Sequence, residues 1–118
     1  MGYEVKIYAG YLSRSVDAKN TQYMHVVGMV DLSKCGNLSP SKNGTPVYFY
    51  YESDGDTRIT EDSYGDALRA VPVGEMLKKV KAAQKRTPDY RRWKPAVALL
   101  ESLQDFEGDE IYCVIYGH

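Results

Sequence analysis

Six carboxylates crowd one stretch of the chain: Glu52, Asp54, Asp56, Glu61, Asp62 and Asp66. Carboxylates at close spacing hold hard cations, so Mg²⁺-assisted phosphoryl chemistry is the first reading to test. Calcium is the second. With Ile59 in the apolar eighth place of an EF-hand loop, Glu52, Asp54 and Asp56 fall at places one, three and five. The sixth place is then Thr57 instead of glycine, and the twelfth is Ser63 instead of glutamate. A strand-like run also precedes the loop where an EF-hand requires a helix. The acids read better as the solvated tip of a hairpin and the polar connection after it.

Other catalytic groups are scarce. The histidines are His25 and His118, and the cysteines are Cys35 and Cys113. Neither pair has zinc-ligand spacing, and no C-x-x-C occurs. Cys35 with His25 would make a nucleophile and its base, but nothing local supports that pairing. Phosphate-binding glycine loops, G-x-S-x-G and H-E-x-x-H are all absent from the sequence. The expectation is a protein that is not an enzyme and needs no cofactor or metal.

Charge is segregated. From Glu52 to Asp66 there are six acids and one base, a local charge of −5. From Glu75 to Lys94 there are eight bases and two acids, a local charge of +6. The whole chain of 118 residues carries only −1, so no global field selects nucleic acid or membrane. Lys78, Lys81 and Lys85 share one helical face, and Arg91 and Arg92 flank Tyr90 and Trp93. Basic residues beside aromatics bind phosphates and stack bases, so nucleic acid is one candidate partner. The plainer reading is a solvated helix face with Trp93 in the core.

Eleven tyrosines stand against two phenylalanines and one tryptophan. Tyrosine suits half-buried strands and contact surfaces, having a large ring and a polar tip. Tyr48 and Tyr50 sit just before the acidic tip at Asp54 and Asp56. A Ser/Asn/Gly/Pro-rich loop, Ser33 to Pro46, carries Asn37 and Lys42. These residues form the expected contact surface for a protein partner.

The elements that must position them are legible from periodicity. Tyr3 to Tyr11 alternates as a strand, with Val5, Ile7 and Ala9 on its apolar face. Tyr23 to Val30 is apolar on both faces, which predicts a central strand, and Gly28 marks a bulge or a close backbone approach. "VYFYYES" predicts a third strand, "SDGD" a tight turn and "TRIT" a short fourth strand. Val73 to Arg86 has helical spacing at Val73, Met76, Leu77, Val80 and Ala83, with Pro72 as its first residue. A second helix falls within "DYRRWKPAVALLESLQDF", and "EGDEIYCVIYGH" ends as an interior strand beside or near the first. The order β-β-β-β-α-α-β predicts one α+β domain over 1–118, a mostly antiparallel sheet of about five strands with two helices on one face.

No run of apolar residues is long enough for a spanning helix, and the start lacks a basic then apolar signal, so a cytoplasmic location with no membrane partner is expected. In character the chain resembles small accessory proteins of bacteriophages, including inhibitors of host defence or host enzymes. That resemblance implies a host protein or complex as partner. Small-molecule capture and homodimerisation through a tyrosine-rich strand edge are the further expectations.

Overall fold

The computed structural model describes residues 4–16, 21–33, 38–50, 55, 57–107 and 110–118. The fold is α+β. In chain order the elements are β1 (Val5–Val16), β2 (Gln22–Ser33), β3 (Thr45–Tyr50), β4 (Arg58–Ile59), β5 (Arg69–Pro72), α1 (Val73–Arg86), α2 (Trp93–Glu107) and β6 (Ile111–Gly117). The six strands hydrogen-bond in the order β2-β1-β6-β5-β3-β4. All neighbours in that order are antiparallel. A short parallel contact, Gln22 with Val47 and Tyr23 with Tyr48, also joins β2 to β3. It closes the strands into a ring at that end only.

The alternation of β1 separates two cores. Val5, Ile7 and Ala9 face the helices and pack with Ile111, Cys113 and Ile115 of β6. Met76, Leu77, Val80 and Ala83 of α1, and Trp93, Ala96 and Leu100 of α2, cover them. Residues of opposite parity, Tyr8 and Leu12, face the inside of the ring with Met24, Val47, Phe49, Leu68 and Val114. Period-2 alternation thus serves two apolar layers, because both faces of the sheet are covered.

Helix α1 starts after Pro72, which is its N-cap and the last residue of β5, not its first helical residue. Glu75 lies in its first turn, and Lys85 and Arg86 in its last, as the helix dipole favours. Thr87 caps the other end, its N–H and hydroxyl both donating to the Ala83 carbonyl. The same Thr87 accepts the Trp93 indole N–H at 3.1 Å, on its carbonyl and its hydroxyl oxygen. One residue therefore ends α1 and fixes the fully buried ring that begins α2.

Three expectations need correction. Strand β5 is an addition to the expected order: it is four residues long, ends in proline and runs straight into α1. Thr45 and Pro46, read as loop, are the start of β3 and pair with Ala70 and Arg69. The third correction is that β2 is not a central strand. It pairs fully with β1, but its other side meets β3 only at Gln22 and Tyr23. Its two-sided apolarity arises because one face meets α2 and the other meets the ring interior. Strand β6 does lie inside the sheet, between β1 and β5.

A bulge decides how β2 is used. Ala9 pairs with Gly28 and Gly10 with Val26, which leaves Val27 as the extra residue beside Gly28. Before it, Met24 and Val26 face the ring interior. After it, Met29 stands opposite Tyr8 and faces the same way. An inserted residue bends the strand and re-aims side chains in this manner. The close backbone approach is at Gly10, where a Cβ would collide with the His25 carbonyl oxygen.

The other end of the sheet is tied by Asp62, a carboxylate only 7% exposed. Its Oδ1 accepts the N–H groups of Tyr64 and Asp66 at 2.9 and 3.0 Å. Its Oδ2 accepts the Gly117 N–H at 3.2 Å. Asp62 is thus a structural anchor within the acidic stretch, joining the turn at 61–67 to the end of β6.

Gly10→Ala is expected to destabilise by several kcal/mol, on the order of the worst overpacking substitutions. Gly28→Ala, whose Cβ would meet only Leu99 Cδ1 at 3.8 Å, is expected to be tolerated. Asp62→Ala should cost about 3 kcal/mol, because it strands backbone donors inside the fold. Urea denaturation of the three variants checks the order.

Candidate functional site

Because β2 meets β3 at one end only, the ring gapes further along. The gap is an open cleft of about 950 Å³. Its walls are the consecutive residues Tyr23 to Met29 of β2 on one side, and Phe49, Tyr50 and Ile59 of β3 and β4 on the other. Lys6, Tyr8, Ser63, Tyr116 and His118 complete the lining. An uninterrupted run along a strand means that the strand's backbone edge, and not one face alone, borders the space.

The aromatic rings are packed against one another. Tyr8 lies 5.0 Å from Phe49 and 5.8 Å from Tyr116, centroid to centroid. Tyr23, Tyr48 and Tyr50 form a second cluster with centroids 5.6–5.7 Å apart. The Arg58 guanidinium sits 4.2 Å over the Tyr48 ring. Such tilted and edge-on contacts hold each ring in a fixed pose. Val27 and Met29, on the opposite wall, are 46% and 47% exposed. Large apolar side chains left half in water at a cleft mark an interaction surface more than isolated exposed ones do.

The ionisable groups on the lining, tyrosines aside, are Lys6, His25 and His118. Aspartate and glutamate do not occur among the described residues of the lining. His118 Nδ1 lies 3.5 Å from Glu4 Oε2. Lys6 has no ion-pair partner among the described residues.

Of the expected contact residues, Tyr50 lines the cleft and Tyr48 supports it through the tyrosine cluster. Lys42 is exposed in a separate depression of about 330 Å³, with Ser39, Asp66 and Arg69. Asn37, Asp54 and Asp56 lie outside the described residues, as do Glu52 and Cys35. Leu38 and Ser39, read as loop, are anchored: Leu38 is buried in the helical core and Lys79 donates to the Ser39 carbonyl. Burial there lowers the Lys79 pKa from its usual value.

The basic segment is less open to nucleic acid than its sequence implies. Lys78, Lys81, Lys85, Arg91 and Arg92 are all exposed. Yet Lys81 faces Glu101 at 3.9 Å, and Arg92 donates to the Asp31 carbonyl at 3.0 Å with the Asp31 carboxylate at 3.8 Å. Trp93 is fully buried, and Tyr90 packs edge-on against it at 5.3 Å. The aromatics that would stack bases belong to the core.

Sequence reading found no sign of a pocket. The cleft joins residues from β1, β2, β3, β4 and β6, and no local motif records that meeting. His25 and His118 do come to the same cleft, although no group of three or more metal-binding side chains exists among the described residues. Cys113 is free and buried, and burial pushes its thiol up to about 12. It is therefore expected to resist thiol-specific reagents at pH 8 in the native protein and to react only on unfolding, as a timed labelling series with and without denaturant would record. Comparison with protein-family models, with curated proteins and with solved structures found no match to this chain.

Proposed function

We propose that the protein is a non-enzymatic binding protein that acts by holding part of a protein partner in the aromatic cleft. The observation that carries this reading is the exposure of Val27 and Met29 on a strand edge that pairs with no described strand, across the cleft from Phe49 and Tyr50. Apolar area of this kind is stabilised by a partner that removes it from water. The acidic residues Asp54 and Asp56, which follow Tyr48–Tyr50 in the sequence, add charge that steers association with a basic surface. A host protein or complex, as for a phage-type inhibitor, is the partner class that fits the absence of catalytic motifs from the sequence.

The test is affinity capture from bacterial lysate with the tagged protein, treated with nuclease. Wild type, Met29→Asp and the charge reversal Asp54→Lys/Asp56→Lys are compared. A defined protein retained by wild type should be lost with Met29→Asp and weakened by the charge reversal. Retention unchanged by Met29→Asp would remove the cleft from the contact surface.

A second reading is favoured by the cleft's charge. Its size is within the range of small-molecule sites, and among the described residues Lys6, His25 and His118 are the non-tyrosine ionisable groups on its lining. Capture of a small aromatic anion would use the same walls. Thermal melting against a panel of mono- and cyclic nucleotides checks it: a rise in Tm that disappears with Lys6→Met supports capture, and a flat panel counts against it.

A further inference from the structure

Resting on the protein-partner reading above, the geometry points to a specific occupant: an extended partner segment that adds to the free edge of β2, with apolar side chains at alternate positions and a carboxylate at the end that meets Lys6. Four observations carry it.

The first is the edge itself. From Met24 to Val30, β2 pairs with β1 on one side and with no described strand on the other. Unpaired strand N–H and C=O groups form a template for another strand. Natural edges are blunted by lysine, proline, inward charge or a bulge; between Met24 and Val30 there is no lysine, proline or carboxylate, and the bulge at Val27 is the one such device, a twist that an added strand has to follow.

The second is length. The run Tyr23–Met29 that lines the cleft spans about 20 Å when extended, at roughly 3.3 Å per residue. That is the reach of an extended peptide of similar length, and longer than a compact ligand needs. Continuity is the third observation. The ring is closed at Gln22 and Tyr23 by β3 and open beyond them, so an added strand continues a pairing the fold has already begun.

Charge is the fourth. Lys6 stands opposite Asp31 on β2, just past Met29, so it marks one end of the cleft. Asp31 is engaged by Arg92 and by the Ser33 N–H, which leaves the Lys6 ammonium for the occupant. Among the described residues, the lining contributes no aspartate or glutamate. The bulge at Val27 is what presents Met24, Val26 and Met29 to one space, and these would meet the alternate apolar side chains of the added strand.

The experiment is selection of random nonapeptides displayed on messenger RNA against the full chain, with Met29→Asp and Val27→Lys as counter-selected baits. Circular dichroism establishes that both baits keep the fold. Enriched peptides are expected to show period-2 apolar alternation with Asp or Glu near one end. Synthetic versions should lose roughly tenfold or more in affinity on N-methylation at alternate residues. They should lose a similar factor against Lys6→Met, while their Asn or Gln analogues should not. Peptides that need Met29 but show helical spacing, or tolerate N-methylation at every position, would overturn strand addition and leave the protein-partner reading standing. Cleft-dependent peptides without an acidic preference would overturn the role given to Lys6. If wild type and Met29→Asp enrich the same peptides, the inference and the reading beneath it both fail. A concentration-dependent dimer in sedimentation, abolished by Met29→Asp, would assign the edge to a second copy and also overturn the proposal.

Discussion

Strand β1 is the constraint on which the rest depends. It pairs with β2 on one side and, over Val5–Tyr11, with β6 on the other, and its alternating side chains supply both apolar layers. Moving its register by one residue would turn Val5, Ile7 and Ala9 from the helices into the ring interior, and Lys6 and Tyr8 onto the helices. Burial of a fully enclosed aliphatic side chain is worth about 2 kcal/mol, so several such reversals would exceed the stability of a domain this size. The register is therefore strongly specified. Gly10 belongs to that specification, because only a residue without Cβ lets β1 lie so close to the His25 carbonyl.

The helical layer and the ring interior are not equivalent. The first is closed, with Trp93, Met76 and Leu100 completely enclosed and the indole N–H satisfied by Thr87. The second is only partly filled. Met24, Val47, Leu68 and Val114 make its sealed end, and Tyr8, Tyr23, Phe49, Tyr50 and Tyr116 line its open end. Tyr8 and Tyr116 pack their rings on this apolar layer, as tyrosine's large ring and polar tip allow.

The acidic stretch divides in a similar way. Asp62 is consumed inside the fold, accepting the N–H groups of Tyr64, Asp66 and Gly117. Ser63 donates its own N–H to the Gly117 carbonyl, and the Tyr64 hydroxyl donates to the His118 carbonyl. This turn holds the end of β6, and with it Tyr116 and His118, against the cleft. A run of carboxylates that reads as one feature in the sequence therefore includes a buried anchor and exposed neighbours with different work to do.

Element type was determined by the sequence wherever periodicity was long and consistent. Both helices, the strands β1 and β6, the β3–β4 hairpin and the interior place of β6 followed from residue spacing alone, since each reflects which local face must leave water. The α+β class followed from their order. What needed the tertiary structure was everything that depends on who the neighbour is. An apolar strand such as β2 reads as central whether its second face meets another strand, a helix or an open cleft, because burial has the same pattern in all three. Strand β5 was hidden because four residues ending in Pro72 carry too little periodicity to show, and its pairing with β3 and β6 exists only across long chain separations. The cleft was invisible for the same reason. Lys6, Tyr23, Met29, Tyr50 and Tyr116 are scattered in sequence, and only the bulge at Val27 and the one-ended closure of β2 on β3 bring them to a common space.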